Sequence, residues 1–367
     1  MVISGRDTDK ILILSMLFLL AAGIVMVYST SYIFAMKRFG NGFFFFKKHV
    51  VYAGIGLGCF IAASKVPYTL YKRLTFPILF IAVLGLIAVF IPHVGFSAGG
   101  AKRWVHIGPL TFQPSEPAKL AVIFFLAYSL SKKEEKIKDF TYGFLPNIVI
   151  PGGIIGLISI EPDLGTGVCL ALVVMMLVFI AGAKPSHIGA LALGAASLGA
   201  LMINKYAYMA DRIKIFLDPW KDPEGKGFQM VQSFIAFGNG GVNGVGLGEG
   251  KQKLFYLPEA HTDFILSVIG EETGLIGVGA VMFVYLIFFS CGLKIALKAK
   301  NLYARYLALG LTLMITLQAA VNMGVVLGVM PPKGIPLPFI SYGGTSLIVS
   351  MIAAGILLNI YIKENSA

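Results

Sequence analysis

The chain has 367 residues, 57% of them apolar and 13% charged, with a net charge of +12. A soluble domain carries about a quarter charged residues, so a mean hydropathy of +0.82 excludes a water-soluble globular protein. The three cysteines, Cys59, Cys169 and Cys291, have neither disulfide nor metal spacing and read as small apolar packing residues.

Apolar runs long enough to cross a hydrocarbon layer of ~30 Å recur along the chain. They place ten helices, over residues 11–35, 49–64, 74–92, 115–131, 143–160, 164–181, 186–204, 264–293, 304–328 and 345–362. The expected fold is an all-α integral membrane protein, one polytopic domain over residues 1–367. The first apolar run is too long for a signal-peptide core and reads as an uncleaved anchor.

Three long connectors, 93–114, 205–262 and 329–344, fall on one side of the membrane, the largest between the seventh and eighth helices. With both termini in the cytoplasm, Arg6, Lys10, Lys65, Lys72, Arg73, Lys132, Lys133, Lys136, Lys138, Lys184, Lys294, Lys298, Lys300, Arg305 and Lys363 lie inside. The short outer segments then hold only Lys37, Arg38, Lys47, Lys48, Lys102, Arg103 and Lys333. The cluster from Lys37 to Lys48 runs against this bias. The remaining cations, with Arg212, gather in the long outer loop, which suggests an anionic partner there: a membrane phospholipid or a lipid phosphate, and no nucleic acid. The inner turn Lys132-Lys133-Glu134-Glu135-Lys136 reads as a solvated cap.

Polar residues punctuate this framework in chain order. Glu116 and Lys119, three apart after Phe112-Gln113-Pro114-Ser115, read as a local ion pair entering the bilayer; alternatively Lys119 faces a phosphate. Asp163 sits at a helix end in Glu161-Pro162-Asp163-Leu164-Gly165-Thr166, as a cap or a cation holder. The long loop opens on the turn chemistry of Asp218–Gly225. A short interfacial helix over Phe228–Phe237 bears Gln229, Gln232 and Ser233, and the glycine-rich run 238–250 reads as a phosphate cradle or a flexible linker.

The loop closes on Gly250-Lys251-Gln252-Lys253-Leu254-Phe255-Tyr256-Leu257-Pro258-Glu259-Ala260-His261-Thr262-Asp263, immediately before the next apolar run. Asp263 reads as a general base at the membrane surface, with His261, Lys251 and Lys253 nearby. The competing reading is a helix cap, worth ~1 kcal/mol. Glu271 and Glu272, about two turns on, face the bundle interior, paired with a buried cation or serving the chemistry. The last outer loop contains Pro331, Pro332, Pro336 and Pro338, a rigid re-entrant path with Lys333, Ser341 and Ser346 as candidates to touch ligand.

The run from Asn322 to Ser346, Phe112–Lys119 and Pro162–Thr166 together resemble the signature segments of the SEDS family, the shape, elongation, division and sporulation proteins. The text of 250–263 is closer to the division-type member than to the elongation type. The resemblance spans nearly the whole chain. It implies a peptidoglycan glycosyltransferase that polymerises lipid II at the outer face of the bacterial cytoplasmic membrane. The family's essential aspartate maps onto Asp263. The implied transfer is inverting, with undecaprenyl diphosphate leaving and its charge met by Lys, Arg or a divalent cation such as Mg or Mn; no organic cofactor is implied. The implied partners are a class B penicillin-binding protein, supplying transpeptidation, and other divisome proteins. Lys119, Arg212, Gln232, Ser233, Lys251, Lys253, His261, Lys333 and Ser341 are the substrate-binding candidates, with Glu116, Asp163, Glu271 and Glu272 in supporting roles. A lipid II flippase, an inactive scaffold and an elongation-type polymerase are the rival readings. The gathering of polar residues on one side favours the enzyme, because a flippase needs a charged path reaching both faces.

Overall fold

The computed structural model describes residues 7–98, 101–107, 110–132, 136–161, 163–205, 207–254, 257–258, 260 and 261–366. Arg6, Lys133, Glu134, Glu135, Pro162, Phe255, Tyr256 and Glu259, named above, lie outside the described residues. Each of the ten anticipated apolar runs is helical. In chain order they are α1 (Thr8–Phe39), α2 (Phe44–Lys65), α4 (Thr75–Ala88), α5 (Ser115–Lys132), α6 (Leu145–Ile160), α7 (Leu164–Ile180), α8 (Pro185–Lys205), α11 (Ile265–Lys298), α12 (Leu302–Val326) and α13 (Gly344–Ser366). Among the described residues, seven helical segments are long and apolar enough to span a membrane on their own, and α4 and α7 are shorter apolar helices. α5 carries Glu116 and Lys119 at its start. Three further helices lie between them: α3 (Tyr68–Arg73), α9 (Ala207–Leu217) and α10 (Phe228–Gly240).

α12 forms the axis of the bundle, packed by α5, α7, α11 and α13, while α13 lies along α2 and α1 along α11. The polar side chains of Thr312, Gln318 and Asn322 on α12 are nevertheless buried. The amide N–H groups of Gln318 and Asn322 donate to carbonyls of the last loop, Pro336 O at 2.9 Å and Ile335 O at 2.7 Å. This answers the requirement that irregular backbone at membrane depth be enclosed by protein.

Two departures from the sequence expectation occur in the connectors. Residues of the 93–114 loop form a three-stranded antiparallel sheet, β1 (Gly95–Ala98), β2 (Ala101–Ile107) and β3 (Leu110–Phe112), with Val105 facing both Gly95 and Phe112. The aromatic and β-branched residues Trp104, Val105 and Ile107 were the signal for it. The 205–262 loop holds α9 as well as the anticipated interfacial helix α10.

The glycine-rich run forms neither a cradle at the cavity described below nor a loose linker. It docks on a break in α11 at Gly274, where φ is 66°. Leu275 N–H donates to Gly241 O at 2.9 Å, and Val245 and Gly246 N–H donate to the Glu271 and Glu272 carbonyls at 3.0 Å. A side chain at Gly274 would be strained by its left-handed conformation and would meet the Val242 carbonyl.

Candidate active site

At one end of the bundle, β2, α5, α7, α9, α10, the approach to α11 and the last loop enclose a cavity of about 630 Å³. Asp263 lines it, one residue before Phe264, the N-cap of α11, which has no side-chain cap bond. Asp263 thus stands just outside the start of α11, with its side chain on the cavity wall.

The backbone carrying Asp263 is held by the last loop. Ser341 Oγ donates to Thr262 O at 2.6 Å and accepts from Leu337 N–H at 2.8 Å. Tyr342 N–H donates to His261 O at 2.9 Å. Asn322 Nδ2 bridges Asp263 O at 2.8 Å and Ile335 O. Gly334 lies against the carboxylate: a Cβ built there would stand 2.7 Å from Asp263 Oδ2. Two chain segments, α12 and the last loop, thus fix the backbone around one aspartate, the rigid support expected of a catalytic group.

Four cations share the cavity with Asp263: Arg103, Arg212, Lys226 and Lys333. Arg212 Nη1 donates to Pro332 O at 3.1 Å, tying α9 to the proline-rich loop. Burial lowers the Lys333 pKa, and the neighbouring Arg212 charge lowers it further. An anion placed between the two would relieve that repulsion. Lys226 pairs with Asp211 on the exposed side.

Asp163 lines the opposite wall. It caps α7 by accepting from Thr166 N–H at 3.2 Å, accepts from Gln113 Nε2 at 3.1 Å and lies 3.8 Å from Arg103 Nη1. Beside it, Glu161 is fully buried and both carboxylate oxygens lack a hydrogen-bond partner. Burial, reinforced by the Asp163 charge and opposed by Arg103, pushes its pKa up to about 8.

Other sequence candidates stand elsewhere. Lys119 is buried behind the wall, 2.8 Å from Glu116 and donating to Gln318 Oε1 at 2.7 Å, while Glu116 itself lines the cavity. Ser341 acts on the backbone, as above. His261 sits among the rings of Phe34, Phe45 and Tyr342, at 5.8, 4.6 and 5.7 Å. Ser233 is buried on α10, bonded to Ser267 Oγ and Val326 O, and Gln232 is not among the cavity residues. Lys251 is exposed, and Lys253 is buried against Glu272 at 2.7 Å with Ser29. Glu271 accepts the N–H groups of Lys251 and Gln252, both at 3.0 Å. The four residues Lys251, Lys253, Glu271 and Glu272 therefore anchor the long loop to α11 instead of lining the cavity. In their place stand Arg103, Trp104, Gln113 and Gln229, which sequence reading passed over as candidates. Arg103 had a signal, as one of few cations on the outer side; the side-chain direction of the others depends on the sheet and on α10.

A family model described as cell cycle protein, covering FtsW, RodA and SpoVE, matches residues 9–366. Over 359 residues the chain is 46% identical to the probable peptidoglycan glycosyltransferase FtsW of Geobacter sulfurreducens, covering 98% of this chain and 96% of that one. It is 40% identical over 352 residues to stage V sporulation protein E of Bacillus subtilis, covering 96% of each. Among solved structures, a chain from a peptidoglycan synthase complex aligns with a TM-score of 0.80 at 30% identity, over 97% of this chain and 98% of that one. The rod shape determining protein RodA of Thermus thermophilus aligns with a TM-score of 0.70 at 25% identity, over 96% of each. Motif order, fold and near-complete coverage agree, and the chain belongs to the FtsW/RodA/SpoVE family of cell cycle proteins.

Proposed function

We propose that this protein is a division-type peptidoglycan glycosyltransferase that polymerises lipid II at the outer face of the cytoplasmic membrane, with Asp263 as general base. The observation carrying this reading is one carboxylate on a rigidly held backbone, in a cavity lined by Arg103, Arg212 and Lys333. The sugar hydroxyl of the acceptor attacks the anomeric carbon of the donor from the face opposite the diphosphate. Its proton passes to Asp263 as the new C–O bond forms. The bond to the lipid diphosphate breaks with inversion, and the electron pair leaves on the diphosphate. That leaving group departs without a dedicated acid, so the protein's task is to hold its charge, and fixed cations in a cavity do so without reorganisation.

Among the described residues no group of three His, Cys, Asp or Glu side chains gathers as a metal cage. The donors among the described residues do not by themselves make a divalent-ion site, and the charge stabilisation is assigned to the Arg and Lys side chains. A Mg or Mn ion fits this proposal only if substrate phosphate oxygens supply most of its ligands. The transpeptidation that completes wall synthesis is assigned to a class B penicillin-binding protein working with this chain, in keeping with the synthase-complex neighbour.

The test is polymerisation of labelled lipid II by the purified protein with its transpeptidase partner. Asp263→Asn should lower the rate by about 10²–10⁴-fold with unchanged expression and thermal midpoint. A well-folded Asp263→Asn protein that polymerises normally would overturn the role of Asp263. Lipid II translocation without polymerisation by the native chain would favour the flippase reading instead.

A further inference from the structure

Four cations, Lys37, Arg38, Lys47 and Lys48, cluster where α1 turns into α2, and the site just described uses none of them. The sequence contains no Asp or Glu between Asp9 and Glu116. Among the described residues, Arg38, Lys47 and Lys48 form no ion pair with a carboxylate. Aromatic rings hold two of them: Arg38 lies 5.7 Å from the Phe34 ring centroid and 5.8 Å from that of Phe39, and Lys48 lies 4.5 Å from that of Phe44. Phe39 and Phe44 stack at 4.2 Å across the turn, joining the two helix ends into one platform. Ring contacts orient these cations but leave their charge uncompensated.

The helix dipole accounts for half of the cluster. Lys37 and Arg38 end α1, where positive charge is favoured. Lys47 and Lys48 open α2, where it is disfavoured, and the first turn there contains no acid. Depth supplies the remaining constraint. The 32 residues of α1 extend over ~48 Å at 1.5 Å per residue, well beyond a hydrocarbon core of ~30 Å. A helix that outruns the core in this way can carry its charged end past the hydrocarbon, and ring contacts to His261 put that end beside the cavity.

We propose that the outer end of the α1–α2 hairpin is a binding site for the phosphate headgroup of an anionic phospholipid of the surrounding leaflet. The charge complementarity selects a phosphate, and the flanking Tyr28, Phe39 and Phe43 rings, exposed among the cations, suit the glycerol and upper acyl region of a bilayer lipid. The opposite face of the same hairpin reaches the active site. Phe34 and Phe45 hold His261, two residues before Asp263, and Phe45 meets Tyr342, which lines the cavity, at 5.2 Å. A bound headgroup thus steadies the hairpin that braces the catalytic segment. An aromatic and basic belt that only sets depth in the membrane would show no preference for lipid charge.

The experiment is native mass spectrometry of the purified full-length protein titrated with phosphatidylglycerol or phosphatidylcholine. The native chain should retain phosphatidylglycerol in preference. Arg38→Gln/Lys47→Gln/Lys48→Gln should lose affinity by roughly fivefold for each cation removed. Lys47→Arg/Lys48→Arg should keep it, and Lys72→Gln/Arg73→Gln at the other end of the bundle should leave it unchanged. These cations are surface groups, and an unchanged thermal midpoint in phosphatidylcholine checks that the triple variant folds; Lys47→Gln/Lys48→Gln gives the same reading with a smaller change. Equal retention of phosphatidylglycerol by the triple variant overturns the proposal. Competition by undecaprenyl diphosphate at lower concentration than phosphatidylglycerol also overturns it, by assigning the patch to substrate. No turnover is measured, so failure of the glycosyltransferase reading would leave this result unaffected.

Discussion

Single side chains decide three outcomes at the cavity. A methyl group at Gly334 would intrude on Asp263 Oδ2, so Gly334→Ala should reduce polymerisation at least tenfold, a loss expected when a catalytic group is displaced by a fraction of an ångström. Chain stability should change little, which a thermal melt would verify. Lys333→Gln or Arg212→Gln should lower turnover by tenfold or more, whereas Lys251→Gln should stay within about twofold, because an exposed loop lysine contributes little. A parallel assay of the three variants distinguishes a cavity cation from a surface one. Glu161 gives a pH signature. Its pKa rises from 4.5 to about 8 in the folded chain, so the unfolded chain binds fewer protons between those values and stability falls as pH rises through them. Glu161→Gln should flatten that fall and stabilise the chain above pH 8 by at least about 1 kcal/mol, read as a raised thermal midpoint. A midpoint with the same pH slope as the native chain would show that Glu161 is ionised without cost.

Elements explain why the sequence revealed some of this and not the rest. The ten apolar runs were legible because lipid imposes one pattern on every span. Asp263 was legible because it is a carboxylate at the mouth of such a span, and the proline-rich loop because four prolines restrict its backbone. Lys253 was misleading. Read along the chain it lies near Asp263, but a buried partner on α11, Glu272, turns it away. Arg103 and Asp163 converge only because β2 and the start of α7 meet over the cavity, and no local pattern encodes that meeting. The Lys253–Glu272 pair gives an element-scale prediction. Lys253→Ala leaves a buried carboxylate uncompensated and should destabilise the chain by about 3–5 kcal/mol, read as a lowered thermal midpoint. Removing both charges together should cost much less. If the single and double variants melt alike, the pair does not anchor the loop.

At the scale of the whole molecule, the cavity residues come from seven regions of the chain and meet at one end of the bundle. The proposed orientation puts that end outside. Single cysteines at Glu224 and Lys136, both exposed, should react from opposite sides of intact cells; reaction of position 224 only after permeabilisation would reverse the orientation. The same assembly orders events in time. Arg103 is made early, yet the backbone of 261–263 is held by Asn322, Ser341 and Tyr342, Gly334 leaves room for the Asp263 carboxylate, and Ser346 on α13 completes the wall. The site is therefore complete only once the last loop and α13 have packed against the rest of the bundle. Residues far apart in order of synthesis thus have to meet before the wall of the cavity is complete.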